Sequence, residues 1–370
     1  MDDSAGIYTQ ALKLMIYAYT NQECKEYLIK ENFIDNLIDY LNTVITSFDS
    51  IYLIRKLEII LGYFGVVNTD YTLKSGEELR KMCEDFSKYD MLTQLAFLET
   101  LEQDINNENI LMLCEPNKNF FNESTSEFSE NVLRKLLFTF SKFYARNFFT
   151  QEIKLLKNTL AISFQYYTST KRSDFICPIL LNIFNNKDIY SFLLDSANNA
   201  QFEFLNIINE IIIENYLKPD PHIKVDVLEI FAQIFTTQNE NLTMQENYVN
   251  LLMRLIYKNN KGIEPKDDHE ALVDFVEGMY NDFKKYDLPD YEIMFLECIH
   301  SMILNQKICK VVLSNFEFVL YLLNRREKPK EVLDKKYKII DDIVKKTDLI
   351  QLMSKEFANQ FINYVNKGPY

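Results

Sequence analysis

Few residues of this chain combine the types and spacing that chemistry requires, and the clearest set lies in its last quarter. Cys298, His300 and Cys309 are residue types that bind zinc. A zinc site needs four ligands, commonly paired two to four residues apart in the chain. Positions 298 and 300 of a helix point about 200° apart, because each residue turns the helix by about 100°. We therefore expect neither a bound metal nor a Cys–His nucleophile.

The other candidate sites do not meet their motifs. The stretch from Gly62 to Gly65 lacks the spacing of a phosphate-binding loop and the Lys-Ser/Thr that follows it. Neighbouring carboxylates diverge around a helix or lie in loops, as at Glu77-Glu78, Asp267-Asp268 and Asp341-Asp342. With three histidines, seven glycines and no tryptophan, the chain is poor in groups that titrate near neutrality and in backbone that approaches a ligand closely. We expect no enzyme and no cofactor; an enzyme whose site is not legible in the sequence is the alternative.

Charge and composition limit the partners. The 40 Lys and Arg against 54 Asp and Glu give a net charge of −14, which repels phosphate backbones and anionic headgroups. We expect neither nucleic acid nor membrane as a partner. The six cysteines have no framework spacing, the N-terminus is acidic where a secretory signal is basic, and no apolar run approaches about 18 residues. A cytoplasmic location, or also a nuclear one, is expected.

Helical periodicity runs through almost the whole chain. Apolar residues recur every three or four positions, as at Leu133, Leu136, Leu137 and Phe140, and at Phe204, Ile207, Ile208 and Ile211. Seven glycines and eight prolines leave room for helices joined by short polar loops, since sheet-rich folds need many tight turns. Breaks are predicted at 68–76, 114–128, 168–174, 217–221, 236–242, 259–268 and 326–334. The fold class predicted is all-α.

An internal similarity favours a repeat architecture. The stretches Ala11–Asn42 and Phe295–Asn324 both read as an apolar helix, an Asn-Gln pair, a second helix, a short break and a third apolar helix. Such units bury their apolar faces by stacking. We predict one domain over 1–370, an armadillo/HEAT-like helical solenoid with a concave groove lined by the last helix of each repeat. An irregular globular α-bundle is the alternative.

The C-terminal region adds a resemblance to a known family. Pro289 opens a helix, Asn305-Gln306 and Asn315 mark breaks, Arg325 follows the next helix, and Lys336-Tyr337 begins another. Tyr364 and the closing Gly368-Pro369-Tyr370 complete the order. In this order and spacing, residues 288–370 resemble the C-terminal region of the 26S proteasome non-ATPase regulatory subunit 5 family. Weaker similarities lie at 91–99 and 225–252, and relatives carry more N-terminal repeats and continue beyond Tyr370.

The resemblance implies a non-catalytic chaperone for assembly of the base of the proteasome regulatory particle. Such a protein binds the C-terminal domain of one ATPase subunit, holds an intermediate with a second ATPase and a scaffold subunit, and leaves before the mature proteasome forms. A monomer is expected when the chain is free. An armadillo/HEAT-type adaptor or transport scaffold with another protein cargo is the alternative.

We predict partner contacts from basic and aromatic side chains on helices of the groove. Tyrosine brings a large contact area at low entropic cost, and Tyr166-Tyr167 are further tyrosine candidates. The predicted contact residues are Arg254, Tyr257, Lys258, Tyr321, Asn324 and Arg325.

Overall fold

A computed structural model describes most of the chain. The described residues are 14, 17, 18, 21–33, 36, 39, 54, 56–58, 74–103, 128–146, 153–194, 199–236, 242–286, 288–326, 328–346, 350, 351 and 353–369. The glycine pair of 62–65, Asp287, Tyr370 and much of the first repeat lie outside them. Within these residues every regular element is a helix, which confirms the all-α prediction.

Sixteen α-helices and one 3₁₀ turn lie within the described residues. They are α1 (Gln22–Lys30), α2 (Lys74–Glu84), a 3₁₀ turn (Phe86–Lys88), α3 (Met91–Gln103), α4 (Glu130–Arg146), α5 (Ile153–Thr170), α6 (Ser173–Phe184), α7 (Lys187–Leu194) and α8 (Asn199–Leu217). Then come α9 (Pro221–Thr236), α10 (Leu242–Lys261), α11 (Asp268–Lys285), α12 (Pro289–Met302), α13 (Gln306–Ser314), α14 (Phe316–Leu323), α15 (Lys330–Lys345) and α16 (Lys355–Asn366). None of the described helices is long and apolar enough to cross a membrane.

The chain forms two compact units, residues 1–166 and 167–370, divided inside α5. In the first unit α3 packs against α4. Phe86 of the 3₁₀ turn is buried beside Phe97, with ring centroids 5.5 Å apart. Its carbonyl accepts a hydrogen bond of 3.0 Å from the Gln94 amide, so the turn is fixed on α3. The prediction of one domain stays a prediction.

Helices three apart in the chain pack together in the second unit. Helix α6 packs on α9, α9 on α12, and α12 on α15. The Thr236 and Ser301 hydroxyls, 2.8 Å apart, join the ends of α9 and α12. Lys224 of α9 forms an ion pair with Asp282 of α11. Counted from one helix of this row to the next, the chain runs in groups of three helices, α6–α8, α9–α11 and α12–α14.

Asparagine caps the start of several helices. The Asn305 side chain accepts hydrogen bonds from the backbone N–H of Lys307 and Ile308, at 2.9 and 3.2 Å. Asn186 does the same at the start of α7, and Asn21 at the start of α1. Asparagine suits this position because its side chain satisfies N–H groups that have no partner within the helix. The Asn-Gln pairs of the two similar stretches are helix caps.

Most predicted breaks coincide with helix ends. Those at 168–174, 217–221, 236–242 and 259–268 separate α5 from α6, α8 from α9, α9 from α10 and α10 from α11, whereas the ends between α6, α7 and α8 were not predicted. One prediction is wrong. Lys336-Tyr337 does not begin a helix, because α15 starts at Lys330, directly after Pro329. Proline is tolerated at a helix start, and the helix then runs through Lys336 without interruption.

Candidate functional site

The six predicted contact residues lie in two places within the second unit. Arg254, Tyr257 and Lys258 are on α10, which is the second helix of its group of three. Tyr321 is on α14, the third helix of its group, and Asn324 and Arg325 follow it directly. The first three therefore do not lie on the last helix of a repeat, where the groove was expected.

Polar side chains on one face of α10 pair with acidic groups of the following loop and of α11. We call this set the α10–α11 ladder: Arg254 with Asp268, Tyr257 with Glu270 at 3.0 Å, Lys258 with Glu264 at 2.6 Å, and Lys261 with Asp274 at 2.8 Å. The α10 residues share a face because they are three or four positions apart. The charged members other than Glu270 and Asp274 are about half exposed, whereas Tyr257 is buried and cannot serve as an exposed anchor. The ladder therefore joins two helices at the surface and still reaches solvent.

The start of α11 fixes the acidic side of the ladder. Asp267 caps the helix by accepting a hydrogen bond of 2.8 Å from the Glu270 backbone N–H. The Glu270 carboxylate reaches back to the Lys266 N–H at 2.7 Å. That bond, followed by the one from the Tyr257 hydroxyl, lowers the pKa of Glu270. The carboxylate is thus anionic and oriented before any partner arrives.

A groove of about 350 Å³ opens beside the ladder. It lies between α10, the first turns of α11, and α13. Val249, Leu272 and Ile308 provide its apolar surface. Helices α11 and α13 pack against each other, so the walls belong to one body. A volume of this size suits a small ligand or one or two side chains of a protein segment.

The charges around this groove are unequally paired. Glu246 forms an ion pair with Lys307, and Asp268 forms one with Arg254. His269 and Lys310 also line the groove. Within the described part of the chain neither has a hydrogen-bond or ion-pair partner. The two carboxylates of the groove therefore have basic partners, whereas the His269 and Lys310 side chains are available to bind a ligand.

The second set of predicted residues, Tyr321, Asn324 and Arg325, lies beside α16 near the C-terminus. The Arg325 guanidinium stacks 3.7 Å from the Tyr364 ring centroid and donates a hydrogen bond of 2.7 Å to the Tyr364 carbonyl. The Tyr321 hydroxyl donates to Glu292 at 2.5 Å, and Lys328 pairs with the same carboxylate at 2.7 Å. These contacts tie α12, the end of α14 and α16 together.

Lys336 lies at the centre of this arrangement and has no solvent exposure. Its ammonium donates to the backbone carbonyls of Tyr321 and Asn324, at 2.7 and 3.0 Å, and lies 3.7 Å from the Tyr321 ring centroid. The Asn324 carbonyl directly follows α14, and the Tyr321 carbonyl also accepts a backbone hydrogen bond of 3.2 Å from the Asn324 N–H. Burial lowers the pKa of Lys336 to about 7, while Glu292 opposes that shift. We call Lys336, Tyr321, Glu292, Arg325 and Tyr364 the C-terminal clamp.

Sequence reasoning missed the role of Lys336. A signal was available, because Lys336 falls at helical spacing between Val332 and Ile340, which are both buried. Its neighbour Lys335 faces a different direction and pairs with Glu297 of α12. A lysine at a helical position where the spacing predicts an apolar side chain is therefore a candidate for a buried ammonium.

The candidate metal residues are dispersed. Cys298 and Cys309 are buried free thiols, and burial raises the pKa of Cys309 to about 12. His300 instead contacts Asp342 of α15, with Nε2 2.7 Å from the carboxylate. Among the described residues no group of three His, Cys, Asp or Glu side chains could hold a metal ion. The side chains weighed as zinc ligands thus serve packing and helix contacts.

The two tyrosines considered as further anchors have different surroundings. Tyr167 is buried, and its hydroxyl accepts a hydrogen bond of 3.2 Å from the Asn215 amide. It cannot serve as an exposed anchor. Tyr166 is half-buried and donates to Glu130 at 2.5 Å.

Comparison with known proteins assigns no family. No protein-family model and no curated protein matches the chain. An engineered protein with a crystal structure from the Northeast Structural Genomics Consortium is similar over 99% of each chain, with 13% identity and a TM-score of 0.43.

Proposed function

We propose that this chain is a non-catalytic, armadillo/HEAT-like binding protein that acts as a chaperone in assembly of the proteasome regulatory particle base. It binds the C-terminal domain of an ATPase subunit and is released before the mature proteasome forms. The observation that carries the proposal is the repeated three-helix unit, in which α6, α9, α12 and α15 pack in succession. Proteins built this way present extended surfaces to other proteins.

The C-terminal resemblance supports the same proposal through residues with clear structural tasks. Pro289 begins α12, and Asn305 and Asn315 cap α13 and α14. Arg325 and Tyr364 contact each other across the end of the chain. A family that shares these residues in this order would share the last repeat and its closure. The ATPase client follows from the resemblance to that family.

Affinity purification of the tagged full-length chain, followed by mass spectrometry, tests the function. Recovery of base ATPases and a scaffold subunit without core-particle subunits is expected. Recovery of transport factors or membrane-coat proteins instead would establish the adaptor alternative and overturn the chaperone proposal.

A charge-reversal variant tests the predicted contacts. Arg254→Glu together with Lys258→Glu should reduce ATPase capture, because the two basic side chains predicted to contact the partner become acidic. Lys338→Glu on α15, an exposed lysine outside the α10–α11 ladder and its groove, is the control. Equal capture by the two variants would exclude Arg254 and Lys258 as contacts.

Small-angle scattering tests the architecture separately. A compact globule of 370 residues has a radius of gyration of about 21 Å. We expect a clearly larger value for a solenoid, and a value near 21 Å would favour the globular bundle.

A further inference from the structure

The groove between α10, α11 and α13 has the composition of a site for an acidic, partly aliphatic ligand. Its apolar surface consists of Val249, Leu272 and Ile308. Its two acids already have basic partners, Lys307 for Glu246 and Arg254 for Asp268. A basic ligand would therefore have to displace a partner at either carboxylate, whereas an acidic ligand would not.

Hydrogen-bond donors remain at the same groove. Lys310 and His269 have no partner within the residues that the structure describes. The Asn305 carbonyl oxygen is used by the N–H groups of Lys307 and Ile308, which leaves its amide N–H₂ to donate. Donors of this kind match the lone pairs of a carboxylate.

We propose that this groove binds a short segment of a partner protein in which an Asp or Glu adjoins an aliphatic side chain. The carboxylate accepts hydrogen bonds from Lys310, His269 and Asn305, and the aliphatic group packs on Leu272 and Ile308. The proposal rests on the proposed function only for the class of ligand, a protein. It adds a second recognition element beside Arg254 and Lys258.

The net charge of the chain sharpens this selectivity. A protein of net charge −14 repels acidic segments over most of its surface. A local excess of donors in one groove makes that groove the favoured place for such a segment. Repulsion elsewhere then acts against binding in other positions.

Three fluorescent octapeptide libraries test the proposal on the full-length chain. Their central pair is fixed as Leu-Glu, Leu-Gln or Leu-Lys, and the other positions are degenerate. We expect about threefold to tenfold greater retention of the Leu-Glu library than of the Leu-Gln library. One or two exposed ion pairs strengthen binding by a factor of this size. Equal retention, or preference for the Leu-Lys library, would overturn the proposal.

Variants place the binding in the groove. Lys310→Glu together with His269→Gln should abolish the preference for Leu-Glu, and Lys338→Glu should leave it unchanged. Both Lys310 and His269 are exposed, and a matching thermal melt shows that the variant folds. Retained preference in the double variant would overturn the assignment to this groove. ATPase capture without library preference would refute this inference alone, and library preference without ATPase capture would refute the proposed client alone.

Discussion

The α10–α11 ladder and the C-terminal clamp use similar residues in opposite surroundings. The ladder contains the predicted contact residues Arg254, Tyr257 and Lys258, and the clamp contains Tyr321 and Arg325, with the Asn324 carbonyl as an acceptor. In the ladder, the side chains of Arg254 and Asp268 are each 45% exposed. In the clamp, Lys336 is completely buried and its ammonium has fixed carbonyl partners. Burial of the charge therefore distinguishes two sets that look equivalent in the sequence.

The difference determines what each region can contribute to binding. An exposed ion pair contributes little to stability, so its members can exchange one partner for another at small cost. A buried ammonium cannot leave its partners without exposing unsatisfied carbonyl groups. The ladder is thus suited to contact a partner, and the clamp is suited to hold α12, α14, α15 and α16 in one arrangement.

The largest effect is expected at Lys336. Lys336→Met keeps most of the side-chain volume but removes the ammonium donor from the Tyr321 and Asn324 carbonyls, of which only Tyr321 keeps a backbone donor, the Asn324 N–H. We expect the free energy of unfolding to fall by about 1–3 kcal/mol in total, measured by urea denaturation. Lys335→Met, the neighbouring lysine that pairs with Glu297, is the control and should cost less than about 1 kcal/mol. Equal losses would remove the distinction between buried and surface lysines.

The same residue predicts a pH dependence. In the unfolded chain lysine keeps its proton up to a pKa of about 10.5, whereas in the fold the pKa of Lys336 is about 7. Between these values the unfolded state binds more protons, so the free energy of unfolding contributed by Lys336 rises as pH rises. We expect the wild-type chain to gain stability relative to Lys336→Met between pH 7 and 9. A constant difference across that range would contradict the lowered pKa.

A smaller and more local effect is expected at Arg325. Arg325→Ala removes both the stacking on Tyr364 and the hydrogen bond to its carbonyl, which together contribute about 1–2 kcal/mol. Hydrogen exchange should show faster exchange in α16 and no change in α10 and α11. Arg325→Lys retains the charge without the planar stacking and should give an intermediate rate. Arg326→Ala, at the next position, serves as the control. If it lowered the hydrogen-exchange protection of α16 as much as Arg325→Ala does, a specific role of Arg325 in the clamp would be excluded.

The smallest effect on stability is expected in the ladder. Arg254→Ala together with Lys258→Ala should leave the Tm unchanged within error, because these pairs are exposed and screened by salt. The same variant should weaken capture of the proposed ATPase client. If its Tm fell as far as that of Arg325→Ala, the ladder would have a structural role like that of the clamp.

Much of the local structure was readable from individual residues. Pro221 and Pro289 occupy first positions of helices, and the breaks around Thr170 and Lys261 follow the loss of apolar periodicity. The Asn-Gln pair at Asn305 marked a real junction, because a short amide side chain satisfies the free N–H groups of a new helix. The sequence predicted Arg254 and Tyr321 alike as contact residues. It did not indicate that Arg254 belongs to an exposed ladder and Tyr321 to a clamp around a buried lysine.

The sequence by itself determined the all-α class, several helix ends and the recurrence of Asn at helix junctions, since capping, proline geometry and apolar periodicity act over a few residues. Tertiary structure alone decided which helices pack together, that Lys336 is buried against Tyr321, and that Lys310 has no acidic partner among the residues that the structure describes. Those properties depend on groups distant in the chain, such as the Asn324 carbonyl and the Glu292 carboxylate, whose proximity no local pattern records. Burial and pairing at a distance therefore determine which charged residues hold the fold and which are free to bind.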